Sequence, residues 1–322
     1  MTGLIGAVPF DNGGCSFYRI LQPIEVYAKQ AGRTIGLVPF GKKYPDLDKW
    51  RVVKPDFVIT GRQFKAEEIY YWKAFKEIFP NTPLYMDFDD NLWSPHKDST
   101  YRPTKAQLNN LDAGAALCDR HIVSTKPLAE IIKGKFGKPT VVMPNCINMG
   151  SAVKPKDRRG DKLKVFWGGT ATHQSDLRQI IQVVKDTAEK YEWHFMAYVP
   201  PEIKDVVKYH PGVPDVKSYM EYVAGLEIDV GIAPLISSPF NRCKSNIKLL
   251  EYGSLGLATV ASPVYPYNLS PALKASTHGE WLSALEKLED EDFRLENALA
   301  SQEYSASFSI DARTSEILSA YT

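Results

Sequence analysis

The chain has 322 residues, about twice the usual domain length, so two domains are the first expectation. With 44% hydrophobic residues, 24% charged residues and a formal net charge of +1, it is excluded from the disordered class. The same numbers exclude a protein pulled as a whole onto nucleic acid or membrane by its field.

Short apolar runs alternate with stretches of helical period, the pattern of parallel βαβ units. Leu4–Pro9 predicts a first strand, Asp11–Gly14 a glycine loop, and Phe17–Gln30 a helix closed at Gly32. Strands follow at Thr34–Val38, Phe57–Thr60 and Leu84–Asp87, with a helix over Glu67–Phe79 stopped by Pro80. His121–Ser124 and Thr140–Met143 repeat the theme around a Lys126–Phe136 helix. Residues 150–163 are polar and poor in large apolar groups, so a linker is expected there. A second α/β series takes over: strands Lys164–Trp167, His194–Tyr198, Ile228–Ala233 and Ala258–Ala261, helices Ser175–Tyr191, Val216–Ala224 and Ser245–Gly253, and a helical, acidic tail. The expected division is 1–150, 151–303 and a C-terminal helix, 304–322, returning to the first domain.

Charge is unevenly shared. Residues 1–150 hold 20 Lys+Arg against 15 Asp+Glu, and the remainder 19 against 23. A basic first half would suit an acidic or phosphate-bearing acceptor, and is equally an ordinary solvated surface. Cys15, Cys118, Cys146 and Cys243 lie far apart without metal-ligand spacing, which argues against zinc or a disulfide framework and for a reducing compartment. MTGLIGAVPF lacks a basic region followed by an apolar run, so no secretion signal is expected, and nothing approaches the ~20 apolar residues of a membrane span. A cytoplasmic protein without integral membrane association is expected.

Four segments carry residues suited to chemistry. In the first, the strand ending at Trp167 runs into Gly168, Gly169 and Thr170, then His173, before a helix. Glycines allow close approach of a phosphate, and the amides of a following helix favour an anion. The segment is neither a dinucleotide fingerprint nor a Walker loop, and a plain tight turn explains it equally well. In the second, Arg242 and Lys244 precede Ser245, a candidate N-cap, and Asn246, with Lys248 and Glu251 sharing a helix face further on. Cations at a helix start suit a diphosphate, and Glu251 would suit ribose hydroxyls. The third is Asp87-Phe88-Asp89-Asp90, an acidic run at a strand end, with His96 and His121 beyond it. Asp89 or Asp90 would orient or deprotonate an acceptor hydroxyl, and a metal-holding D-x-D is the competing reading. The fourth is the loop Asp11–Gly14, with Gly13 and Gly14 followed by Arg19. In open α/β sheets such a loop meets ligand, and a flexible connection is the plain alternative.

The run Asn241–Ser262, ending EYGSLGLATVAS, resembles the donor-site signature of retaining glycosyltransferases of the GT-B fold, family 4 in particular. Gly168-Gly169-Thr170 with His173 and Asp176-Leu177 is similar to that family's C-terminal glycine loop, and Asp229–Leu235 to the strand before its donor helix. Tyr85–Trp93 and Pro144-Asn145-Cys146 resemble landmarks of its N-terminal domain. The resemblance departs at Cys243, where members commonly carry the first of two glutamates eight positions apart.

The resemblance implies an α/β chain of GT-B architecture, two Rossmann-like doubly wound domains facing a central cleft. It implies a hexosyltransferase-like enzyme that uses a nucleoside-diphosphate sugar, a UDP-sugar first among them, with no tightly bound cofactor and no metal. Donor-binding positions would be Gly13, Gly14, Gly168, Gly169, Thr170, His173, Pro234, Leu235, Arg242, Lys244, Ser245, Asn246, Lys248 and Glu251. Asp89, Asp90 and His96 would be catalytic, and Arg19 and Arg62 acceptor-binding. The acceptor stays open between a modified DNA base and a glycan precursor, and oligomeric state is unread. A nucleotide-sugar 2-epimerase and a non-catalytic nucleotide-sugar binding module share these features.

Overall fold

Parallel sheets buried on both faces favour continuous apolar strands, and the described residues form twelve short strands, most of them apolar. In the computed structural model, which describes residues 3–96, 99, 102–156 and 162–322, they assemble into two six-stranded sheets. The chain divides into two units. One comprises Met1–Ser94, Arg102–Asn145 and Arg313–Thr322, the other Pro95–Tyr101 and Cys146–Ala312.

The first unit contains β1 (Leu4–Val8), β2 (Thr34–Leu37), β3 (Phe57–Thr60), β4 (Leu84–Phe88), β5 (Arg120–Val123) and β6 (Thr140–Val142). Their order is β2-β1-β3-β4-β5-β6, every pair parallel. The helix Gln22–Ala31 ends on Gly32 and Lys126–Phe136 on Gly137, both at φ near +60°, the left-handed C-cap that glycine adopts without a Cβ clash. Two helices have no counterpart among the sequence expectations. Leu47–Val53 buries Trp50 on the glycine-lined side of β1, where a Cβ on Gly6 would meet the indole at 2.9 Å. Lys105–Leu117 is announced only by its capping box: Thr104 Oγ1 accepts from the Gln107 amide at 3.2 Å and Gln107 Oε1 from the Thr104 amide at 2.8 Å. The segment Arg313–Thr322 belongs to this unit, its ring of Tyr321 stacked on Phe57 at 5.6 Å.

The second unit contains β7 (Lys164–Gly168), β8 (Glu192–Met196), β9 (Lys208–His210), β10 (Val230–Ala233), β11 (Ala258–Ala261) and β12 (Leu273–Lys274), in the parallel order β12-β11-β10-β7-β8-β9. Successive residues of β7 serve opposite faces, Val165 and Trp167 in one core and Phe166 in the other. The expected long helix over Ser175–Tyr191 is two helices, Gln174–Leu177 and Ile181–Thr187. The expected linker does not run free where it is described. The Val153 amide donates to Ser254 O at 2.8 Å and its carbonyl accepts from Gln302 at 2.7 Å. Residues 157–161 of that linker lie outside the described residues. Among the described residues no helix is long and apolar enough to cross a membrane.

Candidate functional site

In a doubly wound sheet the crevice opens where successive crossovers leave in opposite directions, at the carboxyl ends of the strands. In the second sheet β7 has β8 on one side and β10 on the other, so that point lies between β7 and β10. Gly168–Thr170 leaves β7 there, and Pro234–Asn246 leaves β10. Both glycines answer first to packing: a Cβ on Gly168 would meet the Phe166 ring at 2.9 Å, and one on Gly169 the Trp167 ring at 2.8 Å.

Side chains lace the two loops together. Asp176, buried, accepts from the Ile236 amide at 3.0 Å and from Asn241 Nδ2 at 2.8 Å through one oxygen. Its other oxygen pairs with His173 Nδ1 at 2.8 Å. Burial lowers the His173 pKa although Asp176 works to raise it, so the imidazole is neutral at pH 7. With its proton toward Asp176, Nε2 is left as an acceptor.

Lys248, in the helix Ile247–Ser254, donates to the Gly168 carbonyl and stands 5.3 Å from the Trp167 ring centroid. Burial lowers its pKa from the ordinary lysine value to about 8, with Glu251 opposing and Lys244 reinforcing the shift. A cation held this way at neutral pH gains strongly from an arriving anion. Ser245 is not the helix cap. The cap position is Asn246, whose side chain is committed to Tyr304 OH at 2.8 Å, and Ser245 Oγ lies 3.5 Å from the Ile247 amide. The helix start therefore carries no side-chain cap.

Two other expected donor positions, Leu235 and Arg242, follow the carboxyl end of β10. The Leu235 amide donates to Ser262 Oγ at 2.9 Å, which leaves it nothing for a base, and Leu235 itself is buried beside Pro234. Arg242 lines an open pocket of about 480 Å³ with Gln179, Ser237, Ser262 and Tyr265, at the carboxyl ends of β10 and β11.

In the first sheet the corresponding point lies between β1 and β3. The glycine loop after β1 is tied rather than flexible: Asp11 Oδ1 accepts from the amides of Gly13 (2.9 Å) and Ser16 (3.1 Å), and Ser16 Oγ from those of Phe10 and Asp11 (both 2.9 Å). Gly13 is the N-cap and Gly14 the first residue of the short helix Gly14–Ser16. Arg62, after β3, packs its guanidinium over Phe10 at 4.6 Å and pairs with Asp89 at 2.7 Å, with Asp90 at 3.9 Å. Burial, then the Asp89 charge, pushes the Cys15 thiol well above its usual range, so it is no nucleophile at neutral pH.

Arg19 is not available to an acceptor. It is 0% exposed and forks onto both oxygens of Asp87 at 2.7 and 3.0 Å, with Asn145 Oδ1 at 2.9 Å. The same pair removes Asp87 from a metal-holding D-x-D. His96 falls in Pro95–Tyr101, which belongs to the second unit, so the first sheet does not gather it with Asp89 and Asp90. His121 is buried, its Nε2 3.0 Å from the Ala115 carbonyl. Among the described residues no group of three or more His, Cys, Asp and Glu side chains is arranged to hold a metal ion. Asp176, Asn241 and Trp167 escaped the sequence reading as site formers. Asp176 stood in the glycine-loop resemblance, three residues after His173, without a role assigned to it.

The sequence matches no protein-family model and no curated protein. Solved structures do resemble it. An alpha-glucosyltransferase in complex with UDP and a 13-mer DNA containing a central A:G mismatch gives a TM-score of 0.68 at 12% identity, over 98% of each chain. The apo lipopolysaccharide outer core galactosyltransferase WaaB gives 0.61 at 10%, over 100% of this chain and 99% of its own. TarM of S. aureus, in complex with Fondaparinux, alpha-GlcNAc-glycerol and UDP, gives 0.59 at 11% over 86% of this chain, which spans 58% of TarM's length. The fold is GT-B: α/β, with two parallel six-stranded sheets.

Proposed function

We propose that this protein is a glycosyltransferase moving a sugar from a nucleoside-diphosphate sugar, UDP-linked first among them, to an acceptor hydroxyl, with retention of configuration and without a metal. The observation that carries the reading is Lys248: a half-buried ammonium at the switch point of a doubly wound sheet, beside Lys244 and an uncapped helix start. The charge that grows as a nucleoside diphosphate departs needs preorganised positive partners in a site of low dielectric. Lys248 and Lys244 supply them, with the Gly168–Thr170 loop as the opposite wall. Glu251, three residues after Lys248, would take the ribose hydroxyls. His173 Nε2 is an acceptor for a donor hydroxyl. On the acceptor side, Asp89 and Asp90, both paired with Arg62, are the candidates to orient the incoming hydroxyl.

Retention and the family 4 assignment rest on the resemblance of Asn241–Ser262 to that family's donor signature. The acceptor is open between the kinds that two similar structures name, DNA and a lipopolysaccharide core. The basic excess of residues 1–150 favours a polyanionic one.

A thermal-shift and turnover screen against UDP-, GDP-, ADP- and dTDP-sugars in EDTA tests this. Stabilisation by one nucleotide class, weakened in Lys248→Gln and Glu251→Ala, with sugar transfer to an acceptor, is the expected outcome. Isomerised nucleotide-sugar without transfer would identify a 2-epimerase. Stabilisation with no turnover would identify a binding module, and no stabilisation by any nucleotide would end the donor-site reading.

A further inference from the structure

The basic excess of the first 150 residues is concentrated in one place. Residues 29–54 hold seven Lys+Arg against two Asp, and that difference equals the whole excess of residues 1–150. The segment runs from the end of the helix Gln22–Ala31, through β2 and the loop after it, to the end of the helix Leu47–Val53. β2 is the outermost strand of its sheet, so these cations sit around the sheet's edge.

The loop after β2 is shaped to expose its side chains. The Lys42 amide donates to the Pro39 carbonyl at 3.2 Å, and Gly41 takes φ +77° at the third position of that turn, where glycine is favoured. Phe40, at the corner, is 48% exposed, and Lys42 and Lys43 are exposed beside it. The far side of the loop is anchored, with the Tyr44 ring stacked on Tyr71 at 4.6 Å and Tyr71 OH donating to the Pro45 carbonyl at 2.9 Å. The acids nearby are largely committed. Asp46 caps the helix Leu47–Val53, Asp48 pairs with Arg51 at 3.1 Å, and Asp56, just beyond, pairs with Arg33 at 3.0 Å. Glu67 and Glu68, whose charge reaches Tyr44, offset part of the excess, and Glu68 accepts from the amides of Phe64 and Lys65 at 3.1 Å. Lys42, Lys43 and Lys49 have no ion pair among the described residues.

This loop leaves the same end of the sheet as Asp89 and Asp90, which follow β4. Three strand spacings, about 14 Å, separate β4 from β2. A monosaccharide seated at Asp89 does not span that gap, whereas one strand of a nucleic acid covers it in about four nucleotides. A second copy of this chain meeting β2 edge to edge would set the same cations against each other. Nucleic acid supplies what this loop is complementary to, phosphates for the lysines and base π faces for the phenylalanine. We infer that the β2 edge of the first unit is a nucleic-acid interface, with Lys42 and Lys43 on phosphates and Phe40 stacked on a base. That the bound polymer carries the acceptor hydroxyl to Asp89 and Asp90 rests on the transferase reading.

Fluorescence anisotropy of the intact protein with a labelled DNA strand of about 20 nucleotides, from about 50 to 200 mM salt, tests this, with heparin as a polyanion that has no bases. Lys42→Gln/Lys43→Gln should lower the slope of log affinity against log salt by about 1.4, at ~0.7 per phosphate, for both ligands. Phe40→Ala should weaken DNA binding about tenfold with the slope unchanged, leave heparin untouched, and be restored in Phe40→Trp. The charge-matched Lys133→Gln/Lys138→Gln, at the other end of the sheet, should bind as wild type. Equal losses in the two lysine pairs, or a Phe40→Ala protein that binds DNA as well as wild type, would overturn the interface. DNA bound in the expected pattern by a protein that binds no nucleotide-sugar keeps the interface and ends the transferase reading. Nucleotide-sugar bound with no DNA binding overturns the interface alone.

Discussion

Two buried cations of this chain do opposite things. Arg19 is fully satisfied by Asp87 and Asn145 inside the first unit, and burial raises the Asp87 pKa against the pull of Arg19. Removing one partner strands a charge, so Asp87→Leu should cost about 3–5 kcal/mol, while Arg19→Met with Asp87→Leu should cost less than either change alone. Urea denaturation of the two single variants and the double checks it, and a double-variant cost equal to the sum of the single costs would show the pair is not coupled. Lys248 is held half-buried with its pKa near 8. A diphosphate favours the ammonium and raises that pKa in the complex, so donor affinity is full below pH 8 and falls as pH rises above it, by up to tenfold per unit. Lys248→Gln should bind more weakly and with a flat profile from pH 7 to 9. A wild-type profile equally flat would remove Lys248 from the diphosphate. The cations at positions 242–248 were readable in the sequence, but which of them meets the switch point was not. The backbone turn Asn241–Cys243 sends Arg242 to the neighbouring pocket, and no spacing rule carries that information.

At the scale of elements, the donor helix Ile247–Ser254 is fixed by what lies behind it. A Cβ on Gly253 would fall 2.2 Å from both the Ser301 carbonyl and Ser305 Oγ of the helix Glu291–Ala306. Gly253→Ala should therefore push the donor helix off its support, costing roughly 1–3 kcal/mol and weakening nucleotide binding together with stability. Thermal melts with and without nucleotide read both, and an unaffected variant would show that the two helices separate freely. The sequence marks this helix clearly but misplaces its start by two residues. Ser245 has the right chemistry for a cap, yet the chain turns one residue later and Asn246 is drawn to Tyr304. The broken helix after β7 failed for a related reason. A 3.6-residue apolar period continues through Arg178–Ile180, while Asp176 is anchored by residues sixty and more positions away.

For the whole molecule, neutral histidines that are buried or half-buried set an acid limit. Burial lowers the pKa of His121, His173, His194 and His210. An unfolded histidine titrates near 6.5, so the unfolded chain binds more protons below that value. Stability contributed by these groups is complete above about pH 6.5 and is lost as pH falls below that toward their lowered folded-state pKa. Chemical denaturation across that range should show the decline, reduced in His121→Phe, and an invariant midpoint would show the imidazoles take up protons without opening the fold. Alternation of apolar runs with amphipathic stretches dictated two parallel α/β sheets, because a sheet covered by helices on both faces must be apolar along every strand. Glycines after helices and the cations near residue 245 were equally local, and local chemistry can be read in order along the chain. What needed the folded chain was every decision made by distant partners. Arg19 disappears into the interior because Asp87 and Asn145 meet it there. The Leu235 amide is silent because Ser262 takes it. The crevice exists because β10 pairs with β7, a register of Val230 on Val165 that no stretch of either strand encodes alone.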